Sequence, residues 1–75
     1  MFMEHLIDLI RKSFDLDFDI DRDTPLISSG LIDSLRVSLL LTVLEREYGK
    51  TISTRDVGTD NFDTPGQIEK FLNKL

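Results

Sequence analysis

Residues 30–49 read GLIDSLRVSLLLTVLEREYG and predict the central helix of the fold. Asp33 or Ser34 provides an N-cap and Gly49 a left-handed C-cap, so we expect a helix from Asp33 or Ser34 to Tyr48. This helix carries two neighbouring apolar stripes, which together are wider than a surface helix needs. The first stripe is Val37, Leu40, Leu41, Leu44 and Tyr48, and the second is Leu35, Leu39 and Val43. The helix is therefore either central in the core or exposes one stripe to a partner.

Three shorter segments around this helix also have helical signals. Apolar residues at helical spacing predict a first helix over residues 2–13. The sequence TPGQ at 64–67 combines an N-cap, a proline at the first helical position and a capping-box glutamine, and it predicts a last helix from about 65 to 74. Residues 52–57 predict a one-turn helix with Ser53 as its cap.

The segment between the first two helices alternates apolar and acidic residues over 14–21. Alternation is typical of a strand, but no other segment alternates to pair with it, and aspartate disfavours strands. We therefore expect an extended loop that turns its aspartates to water and packs its apolar residues on the helices. Those apolar residues are Phe14, Leu16, Phe18 and Ile20. The predicted fold is all-α, a small four-helix bundle of three main helices and one short helix, with a long loop between helices one and two.

Composition narrows the possible functions. The 75-residue chain has nine Lys/Arg, fourteen Asp/Glu, a formal net charge of −5 and no cysteine. A chain this short supports one small domain, which we expect to span residues 1–75 as a monomer. Without cysteine it has no disulfide, no thiolate nucleophile and no cysteine zinc site. The acidic excess disfavours nucleic acid and anionic membranes, because both select basic surfaces.

Targeting, metal and catalytic signals are weak. The first ten residues lack the basic start of a secretory signal, and no apolar run is long enough to span a membrane, so we expect a cytoplasmic protein with no stable membrane insertion. The five aspartates of 15–23 lack the glycine and glutamate that a calcium loop requires at fixed positions. His5 is the only histidine and falls on the polar side of the first helix. We therefore expect no metal site and no catalytic residue.

Ser34 is the residue whose side chain could be chemically modified. It stands at the N-terminal end of the strongest predicted helix, where backbone N–H groups and the helix dipole favour a phosphate ester on its oxygen. The alternative is that Ser34, or Asp33 beside it, only caps the helix. Neither residue has the Glu or Gln at N3 that completes a capping box, since Arg36 and Val37 occupy those positions.

A series of motifs along almost the whole chain closely resembles the acyl carrier protein superfamily. In order, they are DTPL at 23–26, SGLIDSL at 29–35, Leu40 and Leu44, EREYG at 45–49, Ile52, and NFDTP at 61–65. The form GLIDSL and the sequence FDTP before the last helix are most similar to stand-alone carriers of amino acids. Those are the D-alanine carrier proteins and the free-standing peptidyl carrier proteins of nonribosomal pathways.

This resemblance implies a carrier rather than an enzyme. Ser34, flanked by Asp33 and Leu35, matches the serine that receives 4′-phosphopantetheine from coenzyme A through a magnesium-dependent phosphopantetheinyl transferase. The arm would supply the thiol that the chain lacks and hold an acyl or aminoacyl group as a thioester. An ATP-dependent adenylating ligase would load it, and a downstream transferase or synthase would receive the cargo.

One departure from the family bears on the partners. Carriers of fatty acid synthesis usually place acidic residues where this chain has Arg36 and Leu39, so docking through salt bridges to a basic synthase is disfavoured. We expect instead an apolar partner face formed by Leu31, Leu35 and Leu39, with Arg36 as a selective charge. For Leu39, packing against a neighbouring helix is an equal alternative. For the whole chain, the alternative function is an unmodified acidic helical interaction module.

Overall fold

The computed structural model describes residues 2–75, which form three α-helices and no strand. The helices are α1 (Phe2–Ser13), α2 (Ser34–Tyr48) and α3 (Pro65–Lys74), and a 3₁₀ turn covers Thr54–Asp56. The prediction of an all-helical fold with three main helices is confirmed. The short fourth helix is only this 3₁₀ turn, and the Ser53 side chain makes no capping hydrogen bond to it. Within residues 2–75 the architecture is thus three helices and a turn, not a bundle of four helices.

The ends of α2 and α3 follow from their capping residues. The N-cap of α2 is Asp33, whose carboxylate accepts a hydrogen bond from the Arg36 N–H at 2.9 Å. Gly49 ends α2 in the left-handed conformation, with φ +64°. At α3 the predicted capping box is present: Thr64 accepts from the Gln67 N–H, and the Gln67 side chain accepts from the Thr64 N–H. These local hydrogen bonds satisfy backbone donors that a helix start leaves without partners.

The core is apolar and draws on every helix and on the connections between them. α1 packs against both α2 and α3. The helices contribute Leu6, Ile10, Leu40, Leu41, Leu44, Ile68 and Leu72, and the connections contribute Phe14, Ile20, Leu26, Ile32, Ile52 and Phe62. Much of the core therefore comes from chain with no regular structure, as expected for a domain whose α1–α2 connection runs over residues 14–33.

The acidic part of that connection differs in one respect from its prediction. All five of its aspartates are exposed, as expected, and Phe14 and Ile20 are buried. Leu16 is half-buried and packs against the core, as expected, but Phe18 is 43% exposed, so the prediction that Phe18 packs on the helices is wrong. Strict alternation of sides requires an extended backbone. Here Asp15 has φ +53° and the chain bends at Phe18, so the alternation does not persist.

A close approach fastens the connection to α3. The Arg22 carbonyl oxygen accepts a hydrogen bond from the Gly66 N–H at 2.9 Å, and the Arg22 guanidinium contacts Glu69 at 3.3 Å. A Cβ at Gly66 would lie 3.0 Å from that carbonyl oxygen, so glycine is what allows the contact. Among the described residues, no helix combines the length and apolarity that crossing a membrane requires.

Candidate functional site

The site centres on Ser34, the first residue of α2. The sequence left open whether Asp33 or Ser34 caps the helix, and the structure assigns the cap to Asp33. Ser34 is exposed, and its hydroxyl makes no hydrogen bond to any residue from 2 to 75. The serine oxygen is thus available to react, while its neighbour holds the helix start in place.

The electrostatic surroundings of Ser34 favour an attached phosphodiester. Ser34 and Leu35 lie in the first turn, where backbone N–H groups have no acceptor within the helix, and the helix dipole is positive at this end. The first turn of α2 contains no acidic residue. The Asp33 carboxylate lies just before the helix and is already bonded to the Arg36 N–H. One negative group linked to Ser34 therefore fits this position.

An open, mainly apolar groove of about 450 Å³ runs beside Ser34. Its walls come from three parts of the chain: the turn before α2, the start of α2, and the segment after the 3₁₀ turn. The lining residues are Ile27, Gly30, Ile32, Asp33, Ser34, Val37, Val57 and Gly58. An exposed oxygen, a positive helix end and an adjoining apolar groove together suit a long, partly apolar arm joined through a phosphate.

Asp63 holds the turn before α2, although it does not line the groove. One of its carboxylate oxygens accepts from the N–H groups of Ile27 at 2.9 Å and Ser28 at 2.8 Å, and the other accepts from the Ser28 hydroxyl at 2.8 Å. Slight burial raises the pKa of Asp63, but these hydrogen bonds outweigh it and hold the pKa below its ordinary value. The sequence contained Asp63 only as part of a motif and did not indicate this contact.

The four residues predicted to meet a partner lie at the surface near the start of α2. Leu35 is 84% exposed and Leu39 45% exposed, Arg36 is exposed, and Leu31 is half-buried. Leu35 and Leu39 are one helical turn apart and so share a face. Simple core packing of Leu39 does not account for its exposure.

His5 lies far from Ser34. Its Nε2 is 2.5 Å from Glu47 Oε2, and its ring packs edge-on against Tyr48 at the other end of α2. Because a helix rises about 1.5 Å per residue, roughly 20 Å of helix separates Ser34 from Glu47. In the part of the chain that the structure covers, no group of histidine and acidic side chains could hold a metal ion. The site thus offers an acceptor hydroxyl without a base of its own.

An exposed helix-start serine beside an apolar groove in a small helical domain is the arrangement that a carrier protein requires. A family model described as "Phosphopantetheine attachment site" matches residues 4–72, and the chain belongs to that family. D-alanyl carrier proteins from two strains of Lactobacillus delbrueckii subsp. bulgaricus are each 24% identical to it over 72 residues, covering 96% of this chain and 90% of the relative. The predicted membership of the acyl carrier protein superfamily is confirmed, as is phosphopantetheine as its cofactor. The family carries groups and does not catalyse, so the chain is a carrier and not an enzyme.

Proposed function

We propose that Ser34 is the residue that bears 4′-phosphopantetheine. The observation that carries this proposal is the division of labour at the start of α2: Asp33 makes the cap, and the adjacent Ser34 hydroxyl is exposed and unbonded. When bound, the group supplies a terminal thiol on which cargo is held as a thioester. This thiol is necessary because the chain has no cysteine.

The chain's own residues act as acceptor and frame. Ser34 Oγ forms the new bond to the coenzyme A phosphorus that carries the pantetheine, the pyrophosphate P–O bond breaks, and adenosine 3′,5′-bisphosphate leaves. The serine proton passes to a base of the transferase, because the one histidine is bonded to Glu47 at the far end of α2. Asp33 keeps the first turn helical and so keeps the free N–H groups of that turn directed at the phosphate. Leu35 lies beside Ser34 as an exposed apolar contact for the transferase.

We further propose an aminoacyl or peptidyl cargo. Two features support this. The chain is similar to D-alanyl carrier proteins. The first turn of α2 also lacks the acidic residues that a basic fatty-acid-type partner would select. An ATP-dependent adenylating ligase loads the carrier and a downstream transferase or synthase unloads it, as in nonribosomal or other secondary-metabolite pathways. ATP and coenzyme A are cytoplasmic metabolites, so we place this single domain of residues 1–75 in the cytoplasm.

The partner face consists of Leu31, Leu35, Arg36 and Leu39. Apolar side chains in the centre of an interface supply most binding energy, and charges at its edge select the partner. Leu35 and Leu39 provide the apolar centre, and Arg36 provides the charge. The partner surface that complements this face is apolar with an acidic group, opposite in sign to the basic surfaces that bind acidic carriers.

Mass spectrometry tests the assignment of Ser34. Native protein incubated with coenzyme A, magnesium and a broadly tolerant phosphopantetheinyl transferase gains one phosphopantetheine, whereas Ser34→Ala gains none. Ser38→Ala, which alters an exposed serine one turn further along α2, is the matched control and gains one like the native chain. If the native chain stays unmodified while a known carrier is modified in the same tube, the alternative of an unmodified interaction module replaces this proposal.

A further inference from the structure

The turn over residues 25–32 forms the groove wall next to Ser34, although it contains neither helix nor strand. Part of its shape is set internally: the Ile32 N–H donates to the Leu26 carbonyl at 2.9 Å, and the Gly30 N–H donates to the Ile27 carbonyl at 3.0 Å. Leu26 and Ile32 are fully buried and fix the two ends of the turn. The middle of the turn, between these two anchors, has no apolar anchor of comparable burial.

Asp63 supplies the missing anchor. Its carboxylate binds Ile27 and Ser28 through three hydrogen bonds, and its backbone carbonyl accepts from the Leu26 N–H at 2.6 Å. Its own N–H donates to the Gln67 side chain at 2.8 Å, which makes Asp63 part of the start of α3. Asp63 thus connects the start of α3 to the turn that precedes α2.

From this geometry we infer that Asp63 is a positioning residue for the modification of Ser34. Its hydrogen bonds go to Leu26, Ile27, Ser28 and Gln67 and not to Ser34. It holds Ile27 and Ser28 so that the wall of the groove is already formed when the transferase binds. This inference rests on the proposed attachment at Ser34. It adds Asp63, a residue near the other end of the chain, to those that shape the surface recognised by the transferase.

The physical reason is the difference between a formed and a mobile binding surface. When a partner must order a loop on binding, the ordering cost is subtracted from the affinity. Hydrogen bonds to a charged carboxylate are among the stronger ones, and three of them converge on two adjacent residues here. Removal of the carboxylate should therefore raise the KM of the transferase for the carrier and leave the chemical step, which occurs at Ser34, largely unchanged.

The test compares Asp63→Ala with native protein in steady-state modification by the transferase. We expect KM for the carrier to rise about tenfold with kcat within about twofold, the scale of one lost charged anchor. Amide hydrogen exchange supplies a second readout that does not depend on activity: protection falls at Ile27 and Ser28 but not at the centre of α2. Asp63→Asn retains an acceptor for these N–H groups and should recover most of the native KM.

Thr64→Ala is the matched control because it removes the cap hydroxyl at the start of α3 but keeps both the Asp63 carboxylate and the Gln67 side chain that accepts from the Asp63 N–H. Its KM stays close to native even where its melting temperature falls. If Asp63→Ala keeps a native KM, or if Thr64→Ala raises KM equally, the positioning role is wrong. Should Asp63→Ala fail to fold, Ser28→Ala, which removes the hydroxyl bond to Asp63, decides, and a native KM with native amide protection at Ile27 and Ser28 overturns the inference. Failure of the native protein to be modified at all would instead refute the attachment at Ser34.

Discussion

The two faces of α2 carry the same residue type in opposite environments. Leu40 and Leu44 are fully buried on one face, while Leu35 is 84% and Leu39 45% exposed on the other. The two pairs of leucines are equally hydrophobic in the sequence, so only the tertiary structure shows which pair is buried and which is exposed. The comparison teaches that the apolar excess of this helix is divided between holding the fold together and facing outward beside Ser34.

The largest expected effect comes from the buried face. Leu44→Ala leaves a cavity among fully buried neighbours and should lower the free energy of unfolding by about 2–5 kcal/mol. Urea denaturation followed by circular dichroism measures this loss. Leu35→Ala is the control of identical chemistry on the exposed face and should change stability by less than about 0.5 kcal/mol. Equal losses for the two variants would contradict the division of faces.

A smaller effect on stability but a clear one on function is expected from the exposed face. Leu39→Glu introduces a charge where the proposed ligase docks, so loading of the modified carrier should slow about tenfold, the scale of one interface anchor. Its melting temperature stays near the native value, since the side chain is already 45% exposed. The measurement is the rate of cargo attachment by intact mass. A large drop in melting temperature would assign Leu39 to the core instead.

The smallest effect concerns the charge beside the exposed leucines. Arg36→Ala should slow loading only about two- to threefold, because charges at an interface edge mainly steer association. The native rate should fall with added salt, and the variant should respond less, since screening acts on the charge that it lacks. Arg46→Ala, which removes a positive charge in the last turn of α2, is the control. Identical salt dependence of native and Arg36→Ala would remove Arg36 from the partner face.

The helices could be predicted because their boundaries are encoded locally. Gly49 stops α2 by its own backbone conformation, and Thr64 and Gln67 complete a capping box within four residues. The choice between Asp33 and Ser34 as cap could not be made in the same way, because both side chains are good caps. It depends on which residue leaves the helical conformation, and Asp33 does so, with ψ −178°.

What the sequence could not reveal depends on contacts between distant segments. The interaction of Asp63 with Ile27 and Ser28 joins residues more than thirty positions apart, and no local pattern marks it. The exposure of Phe18 has a related cause, since a bend in the chain turned it away from a core that its periodicity indicated. Ser34 could be proposed from the sequence because its signal is a motif, whereas the wall beside it is built by tertiary structure.

The contact between Arg22 and Gly66 attaches the α1–α2 connection to α3 near its middle. The Gly66 N–H holds the Arg22 carbonyl, and a Cβ at Gly66 would lie 3.0 Å from that oxygen, so the connection separates from α3 here only when this hydrogen bond breaks. Arg22 is thus tied to α3 through both its backbone and its guanidinium, whereas Phe18, four residues earlier, is 43% exposed. Along the chain this attachment lies between most of the exposed aspartates and the turn that leads to Ser34, so α3 separates the two parts of the connection.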